Sequence, residues 1–285
     1  MSKTVYEMVT ERIIEQLEKG VCPWDKPWIG LQENGAYNRI SKRKYSLLNQ
    51  LMLQNEGEYA TFKQWESLGG KIKKGSKSEI VVFWKMQPIE EAKEDGTIEI
   101  RQIPYLRYFN VFHISQVDGV EPLEKAVLHK IEPIEKAESV LHNYWTREQI
   151  QVEHTKGNKA FYSPMLDMIQ LPLFEQFKSA NEYYSTAFHE SVHSTMKENR
   201  CNRSEDRKGK DVSFSSSEYS KEELCAEIGS ACILNMIGIE TDKSFRNSTA
   251  YIQNWLQVLR NDVKFIVSAS SKAEKAVNYI LNITE

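Results

Sequence analysis

Cysteine is scarce in this chain: four residues in 285, Cys22, Cys201, Cys225 and Cys232, with no CxxC pair among them. That spacing excludes a disulfide framework and a thiolate zinc ribbon. Long apolar runs are missing as well, since no 18 consecutive apolar residues occur, which excludes a transmembrane helix of ordinary length. The opening "MSKTVYEMVTERIIEQLEKG" has the pattern of a charged amphipathic helix and lacks the apolar block and cleavage site of a secretory signal. The expectation is a cytoplasmic protein with no membrane partner. Internal repeats are also lacking. Histidine is rare, at six residues, so a close pair of them is informative. Hydrophobic residues, at 40% of the chain, suffice for the cores of one large or two ordinary domains.

The net charge of −3 hides an asymmetry. From Ala36 to Met86 ten Lys or Arg face four Glu, whereas residues 121–285 carry 20 basic against 24 acidic side chains. A polyanionic partner is therefore expected on the N-terminal half.

Apolar positions at helical spacing predict a helix over 3–19, ending at Gly20. "VCPWDKPWIG" follows and cannot be a helix interior, because Pro23 and Pro27 interrupt it. "SLLNQLML" and "TFKQWESLGG" read as short helices, the second ended by Gly69 and Gly70. "SEIVVFWKM" and "RQIPYLRYFNVFHI" are rich in β-branched and aromatic residues and read as paired strands around a turn near "KEDGT". The proline-punctuated stretch from Pro122 to Pro133 reads as a linker. Beyond it come an amphipathic helix over 134–149, short strands in "QVEHTKGNKAFYSPMLDMIQLP", a helix over 180–198, a polar loop over 199–219, a helix from Lys221 to Ile237 and two packing helices over 248–283.

The helix over 180–198 carries "HESVH". Residues four apart on a helix stand one above the other, so His189 and His193 share a face and can bind one tetrahedral zinc. Glu190 then lies beside the metal, where its carboxylate can accept a proton from a metal-activated water. The competing reading is two histidines on a solvated helix face. Ser179 and Glu182 form a capping-box pattern that starts the helix, which places the motif in its interior.

A catalytic zinc requires a third protein ligand. No histidine follows His193, so the helix "YSKEELCAEIGSACILNMIGI" offers Glu222, Glu223 and Glu227. Ser220 with Glu223 reads as a capping box, a structural role at the helix start. Glu227 lies a turn inside among Leu224, Ile228 and Ala231, where a carboxylate needs a partner to offset its desolvation. Glu227 is the first choice as ligand, and Glu223 is the alternative ligand or a carboxylate that orients a histidine. The alternation of Met165, Asp167, Ile169 and Leu171 with their neighbours suggests a strand that either lies in the core or offers an open edge to an extended peptide.

In the N-terminal half, cations interleave with aromatics: Trp24 and Trp28, then Arg39, Lys42, Arg43, Lys44 and Tyr45, then Lys71, Lys73, Lys74 and Lys77. Single-stranded nucleic acid is bound by pairing such a positive groove with aromatic faces on which bases stack. No helix pair suited to reading duplex DNA stands out.

These motifs, in this order, resemble those of the ArdC-like antirestriction proteins of plasmids and other mobile elements. "GVCPWDKPW", "KRKYSLLN", "TFKQWESLGGKIKKGSKSEIVVFWK" and "RYFNVFHISQ" are similar to the family's N-terminal domain. "YYSTAFHESVHST", "YSKEELCAEIGSA" and "YIQNWLQVL" are similar to its C-terminal domain. The resemblance implies an α+β chain of two domains: an α+β single-stranded-DNA-binding module over 1–122, a linker over 123–133, and a mostly helical zincin-like metallopeptidase domain with a small sheet over 134–285. It implies Zn2+, or another divalent first-row ion, held by His189, His193 and a glutamate of "EELCAE", with Glu190 as base. It also implies partners in single-stranded DNA and an unknown protein substrate, and protection of incoming DNA during conjugation. The segment "HSTMKENRCNR" departs from the family by lacking a Thr-Gly-His-like run. The rival expectation is a non-catalytic DNA-binding shield whose metal is only structural.

Overall fold

A computed structural model describes residues 3–19, 22–25, 35–92, 98–123, 133–157, 159–203, 217–239 and 249–283. Helix α1 (Val5–Glu18) opens with a capping box, in which Thr4 Oγ1 accepts from the Glu7 amide and the Glu7 carboxylate accepts from the Thr4 amide. Its Val9, Ile13 and Leu17 are buried at helical spacing, as their sequence positions require. Strand β1 (Ala36–Asn38), helix α2 (Leu47–Met52), strand β2 (Gly57–Ala60), helix α3 (Phe62–Ser67), strand β3 (Lys71–Ile72), strands β4 (Glu79–Ala92) and β5 (Ile98–His113), and strand β6 (Val117–Asp118) complete this half.

Four strands make a sheet in the order β1-β2-β5-β4, and β3 pairs with β6 separately. Within the first sheet β4 and β5 form a long antiparallel ribbon, in register from Glu79 opposite Val111 to Ala92 opposite Ile98. The expected turn at "KEDGT" lies outside the described residues. Two amides of α2 fasten the helix to the strands. Asn49 donates to the Val82 carbonyl and accepts from its amide, and Gln50 exchanges both hydrogen bonds with Ala36. Both side chains are fully buried, which is tolerable because each has a backbone partner.

The C-terminal half contains helix α4 (Pro133–Arg147), strands β7 (Gln151–Thr155), β8 (Phe161–Ser163) and β9 (Met168–Pro172), and helices α5 (Ala180–Ser194), α6 (Ser217–Ile237), α7 (Thr249–Asn261) and α8 (Phe265–Leu281). The three strands order as β7-β9-β8, with β9 parallel to β7 and antiparallel to β8. Of the two readings of the strand over 165–171, this supports the core strand over the open edge. Met165 and Leu166 are exposed in the β8–β9 turn, and β9 is paired on both sides. Asp167, at φ +50°, closes that turn while accepting from the Tyr162 hydroxyl and from Arg200.

The hydrophobic core is shared by the two halves. Val9, Ile13, Leu17 and Trp24 belong to one buried cluster with Trp255, Leu259, Phe265 and Ile266. Trp24 meets Trp255 edge-on at 5.2 Å, and the Thr10 hydroxyl donates to the Val263 carbonyl at 2.7 Å. Among the described residues no helix is long and apolar enough to cross a membrane.

Candidate metal centre

Helix α5 begins at Ser179, whose hydroxyl accepts from the Glu182 amide, while the Glu182 carboxylate accepts from the Lys178 amide. The helix therefore starts where the sequence places it, and "HESVH" occupies its last two turns. It ends at Ser194, four residues earlier than expected, because the chain folds back there: the amides of Cys201 and Arg203 donate to the carbonyls of Thr195 and Met196.

His189 and His193 project from one face of α5, with their Nε2 atoms 3.0 Å apart. A carboxylate from α6 completes the group. Glu223 Oε2 lies 3.6 Å from His189 Nε2, and Glu223 Oε1 lies 3.3 Å from His193 Nε2. Ligand atoms about 2.1 Å from one tetrahedral ion stand about 3.4 Å from each other, so the two imidazole nitrogens and the Glu223 carboxylate, which turns one oxygen toward each, are spaced as a set of ligands for one cation. They form the group of possible metal ligands found among the described residues.

The two ring nitrogens that face away from this centre meet carboxylates of their own. His189 Nδ1 lies 3.4 Å from Glu227, and His193 Nδ1 lies 3.3 Å from Glu222. A carboxylate hydrogen-bonded to Nδ1, as Glu222 is to His193, fixes the tautomer and ring orientation that present Nε2 to a metal; Glu227 meets His189 at ion-pair distance without hydrogen-bond geometry. In this geometry Glu227, the first expected ligand, stands behind His189, and Glu223, the alternative, is the carboxylate nearest the two Nε2 atoms. Burial of Glu227 has its partner, but that partner is an imidazole. The capping role expected for Glu223 falls away because α6 starts at Ser217, three residues before Ser220, so Glu223 is in the helix interior. Glu190 is buried next to His189, and its charge favours the protonated form of His193.

Close approach of α5 and α6 makes this possible. A Cβ on Gly229 would stand 3.0 Å from a Val192 methyl, and the Ser230 hydroxyl donates to the Ser185 carbonyl of α5 at 3.0 Å. Arg203 supplies the last support. Its guanidinium donates to both oxygens of Glu222, to the Val192 carbonyl and to the Thr195 hydroxyl. No signal in the pattern "NRCNR" singled out this arginine, since its burial depends on the fold-back after α5.

Electrostatics follow from this crowding. Burial disfavours the imidazolium of His193, but hydrogen bonds to Glu222 and Glu223 outweigh it and raise the pKa to about 10. Burial also opposes ionisation of Glu222, yet the Arg203 charge and the His193 contact hold it down at about 2. Glu223 is likewise held below the usual carboxylate range by the two histidines, against its own desolvation. The centre therefore offers carboxylates ready to bind and one imidazole that binds a proton in place of a cation. Metal binding near pH 7 is expected to release a proton from His193. Because proton and metal compete, affinity should rise by roughly tenfold per pH unit up to about pH 10. Proton release in weakly buffered calorimetry checks this.

The other site residues expected from sequence divide sharply. Trp24 and Tyr45 are buried in cores, so they cannot offer faces to bases; burial of large aromatics outweighs exposure unless something else holds them out. Arg39 is committed to an ion pair with the buried Glu58. Lys42, Arg43, Lys71, Lys73, Lys74 and Lys77 are exposed, and Lys44 is half-buried over the Tyr37 ring at 5.1 Å. Trp28 lies outside the described residues.

Residues 136–272 match the family described as zincin-like metallopeptidase, and residues 3–112 match the N-terminal domain of the anti-restriction factor ArdC. The paired histidine and glutamate helices thus sit in a zincin-like metallopeptidase domain. The whole chain superimposes on the crystal structure of the antirestriction protein ArdC from plasmid R388 in its metal-free form, with a TM-score of 0.73 and 30% identity over 99% of each chain. The Mn(II)-bound form of that protein matches equally, at TM-score 0.73 and 29% identity, over 98% of each chain. An uncharacterized protein, y4eC of Sinorhizobium fredii, is 31% identical over 97% of this chain and 91% of its own length. A DNA primase TraC of Escherichia coli is 32% identical over 98% of this chain, which spans 20% of that relative's length; a second spans 27%. This chain belongs to the ArdC family of antirestriction proteins.

Proposed function

We propose that this chain binds single-stranded DNA through its N-terminal half and works as a zinc-dependent metallopeptidase of the HExxH type, protecting incoming DNA from restriction during conjugation. The observation that carries the enzymatic reading is the convergence of His189 Nε2, His193 Nε2 and Glu223, with a carboxylate behind each histidine. Two imidazoles and a carboxylate form the three-ligand set of hydrolytic zinc sites, and they also accept other first-row ions. A divalent ion held there would supply Lewis acidity toward a water and a scissile carbonyl.

The chain's own residues carry the rest. Glu190 accepts a proton from the attacking water and returns it to the departing amine nitrogen. Glu227 and Glu222 hold the imidazoles in the ligating orientation, and Arg203 fixes Glu222.

Glu190→Ala is the test. It is expected to retain the metal and to lose protection of unmodified plasmid DNA, scored as conjugation frequency into a restricting recipient, since a positioned base contributes about 10²–10⁴-fold to rate. If Glu190→Ala protects as well as the wild type, the metal is structural and the protein is a DNA-binding shield.

A further inference from the structure

We propose that the β4–β5 ribbon is the surface on which bases of single-stranded DNA stack, with Phe83 and Phe109 as the platform and Lys85 and Arg107 as its phosphate contacts. This inference rests on the DNA-binding reading above and assigns it a place and residues.

Cross-strand pairing sets the composition of each ribbon face. Phe83 stands opposite Arg107, Lys85 opposite Tyr105, and Val81 opposite Phe109, and directly paired residues share a face. Nearer the body, that face is closed over a small core of Tyr45, Tyr59, Val81 and Val111. Farther out, the cover supplied by the described residues ends. Phe83 is 44% and Phe109 37% exposed, although each has hydrophobic neighbours it could bury against. Their rings meet edge-to-face at 5.9 Å, and the Arg107 guanidinium lies 5.9 Å from the Phe109 ring. Aromatic pairs held out in water without a covering element mark an interaction surface.

Charge decides the partner. Among the described residues the exposed ionic groups of this face are Lys85 and Arg107. Between Glu79 and Gln87, and between Ile103 and Val111, the one carboxylate on this face, Glu79, is occupied by the Tyr59 hydroxyl, the Gln54 amide and Arg12, while Glu91 and Glu99 pair with each other toward the far end of the ribbon. Two cations interleaved with two aromatic rings, with no available acid over that stretch, suit a polyanion whose units carry flat faces. The basic segments expected from sequence adjoin the ribbon. Tyr45, which follows Lys42, Arg43 and Lys44 in sequence, packs its ring 6.2 Å from Phe83. The lysine segment 71–77 leads straight into β4 at Glu79. Successive same-face residues on a strand are about 6.8 Å apart, a spacing that an extended, unstacked strand of nucleotides can follow.

The test is binding of a fluorescent oligo-dT to the full chain, measured by anisotropy across a salt series. A Phe83→Ala/Phe109→Ala double variant is expected to bind about tenfold or more weakly with the salt slope unchanged, because stacking is lost and no phosphate contact is. Lys85→Ala and Arg107→Ala should each lower the salt slope by about one. Phe62→Ala removes an exposed ring on α3, off the ribbon, and should bind as wild type. Phe83→Leu/Phe109→Leu keeps apolar bulk without a π-face and should bind as weakly as the alanine variant. Full binding by the double alanine variant, or rescue by leucine, overturns the platform while leaving DNA binding intact. A wild type that ignores the oligonucleotide overturns both, and concentration-dependent dimerisation lost in the double variant would assign the ribbon to a second copy of the chain.

Discussion

His193→Ala and Glu223→Ala proteins should emerge from purification without metal, beside a wild type carrying one equivalent of zinc. Each variant removes one of three side chains whose ring nitrogens and carboxylate oxygens meet at 3.0–3.6 Å, and two remaining ligands do not make a closed site. Glu227→Ala and Glu222→Ala are expected to differ from these. They take away the carboxylates behind His189 and His193, so the metal should stay but bind about 10–100-fold more weakly. Metal content after dialysis, followed by competition against a chromogenic chelator, separates the two classes. If Glu227→Ala loses the ion and Glu223→Ala keeps it, the assignment of ligand and support is reversed. A folded wild type that takes up no zinc removes the centre altogether.

The second large effect is expected on stability, at a residue that offers no ligand atom. Arg200 is fully buried and ties three elements together: it donates to both oxygens of Asp167 in the β8–β9 turn, to Glu148 beyond α4, and to the Ser194 carbonyl at the end of α5. Arg200→Ala leaves buried carboxylate oxygens with fewer donors, a change that costs about 3–5 kcal/mol. For a chain of this size that lowers Tm by roughly 6–20 °C, readable by circular dichroism. Arg200→Lys should recover a minor part, because an ammonium cannot bridge two carboxylates as a planar fork does.

The pH dependence has a definite sign. Burial works to raise the Asp167 pKa, but hydrogen bonds from Arg200 and Lys197 win and lower it below its ordinary 3.8. A carboxyl depressed in the folded state adds stability above its unfolded pKa, and that stability disappears as the pH falls through the folded value. The variant should therefore lose less stability than the wild type on acidification below about pH 4.

What could be read from the sequence was whatever local periodicity records. The helix carrying "HESVH" was legible because i, i+4 spacing and a serine cap are local signals, and so was the ribbon, whose strands concentrate β-branched and aromatic residues. The carboxylate that reaches the two Nε2 atoms was not. Choosing between Glu223 and Glu227 depended on where α6 starts, and "SSSEYSKEE" offers more than one serine as a first residue; the helix takes the earlier start and turns Glu223 inward. Trp24 was misplaced for a related reason. A tryptophan between two prolines looks exposed until a partner 231 residues away, Trp255, is brought against it. Arg200 and Arg203 gave no signal at all, since their acids come from segments as distant as Glu148 and Glu222.

That contact between Trp24 and Trp255 joins the beginning of the chain to its end. With α1 and Trp24 embedded among α7 and α8, cutting between the two halves would strip apolar surface from both, so neither fragment inherits a finished interior. The chain should melt in one cooperative step. A ligand that stabilises the folded state from either side then stabilises the whole: metal at the histidines would protect the ribbon against unfolding, and DNA on the ribbon would protect the histidines. The two activities would thus share one folding equilibrium without any signal having to pass between their sites.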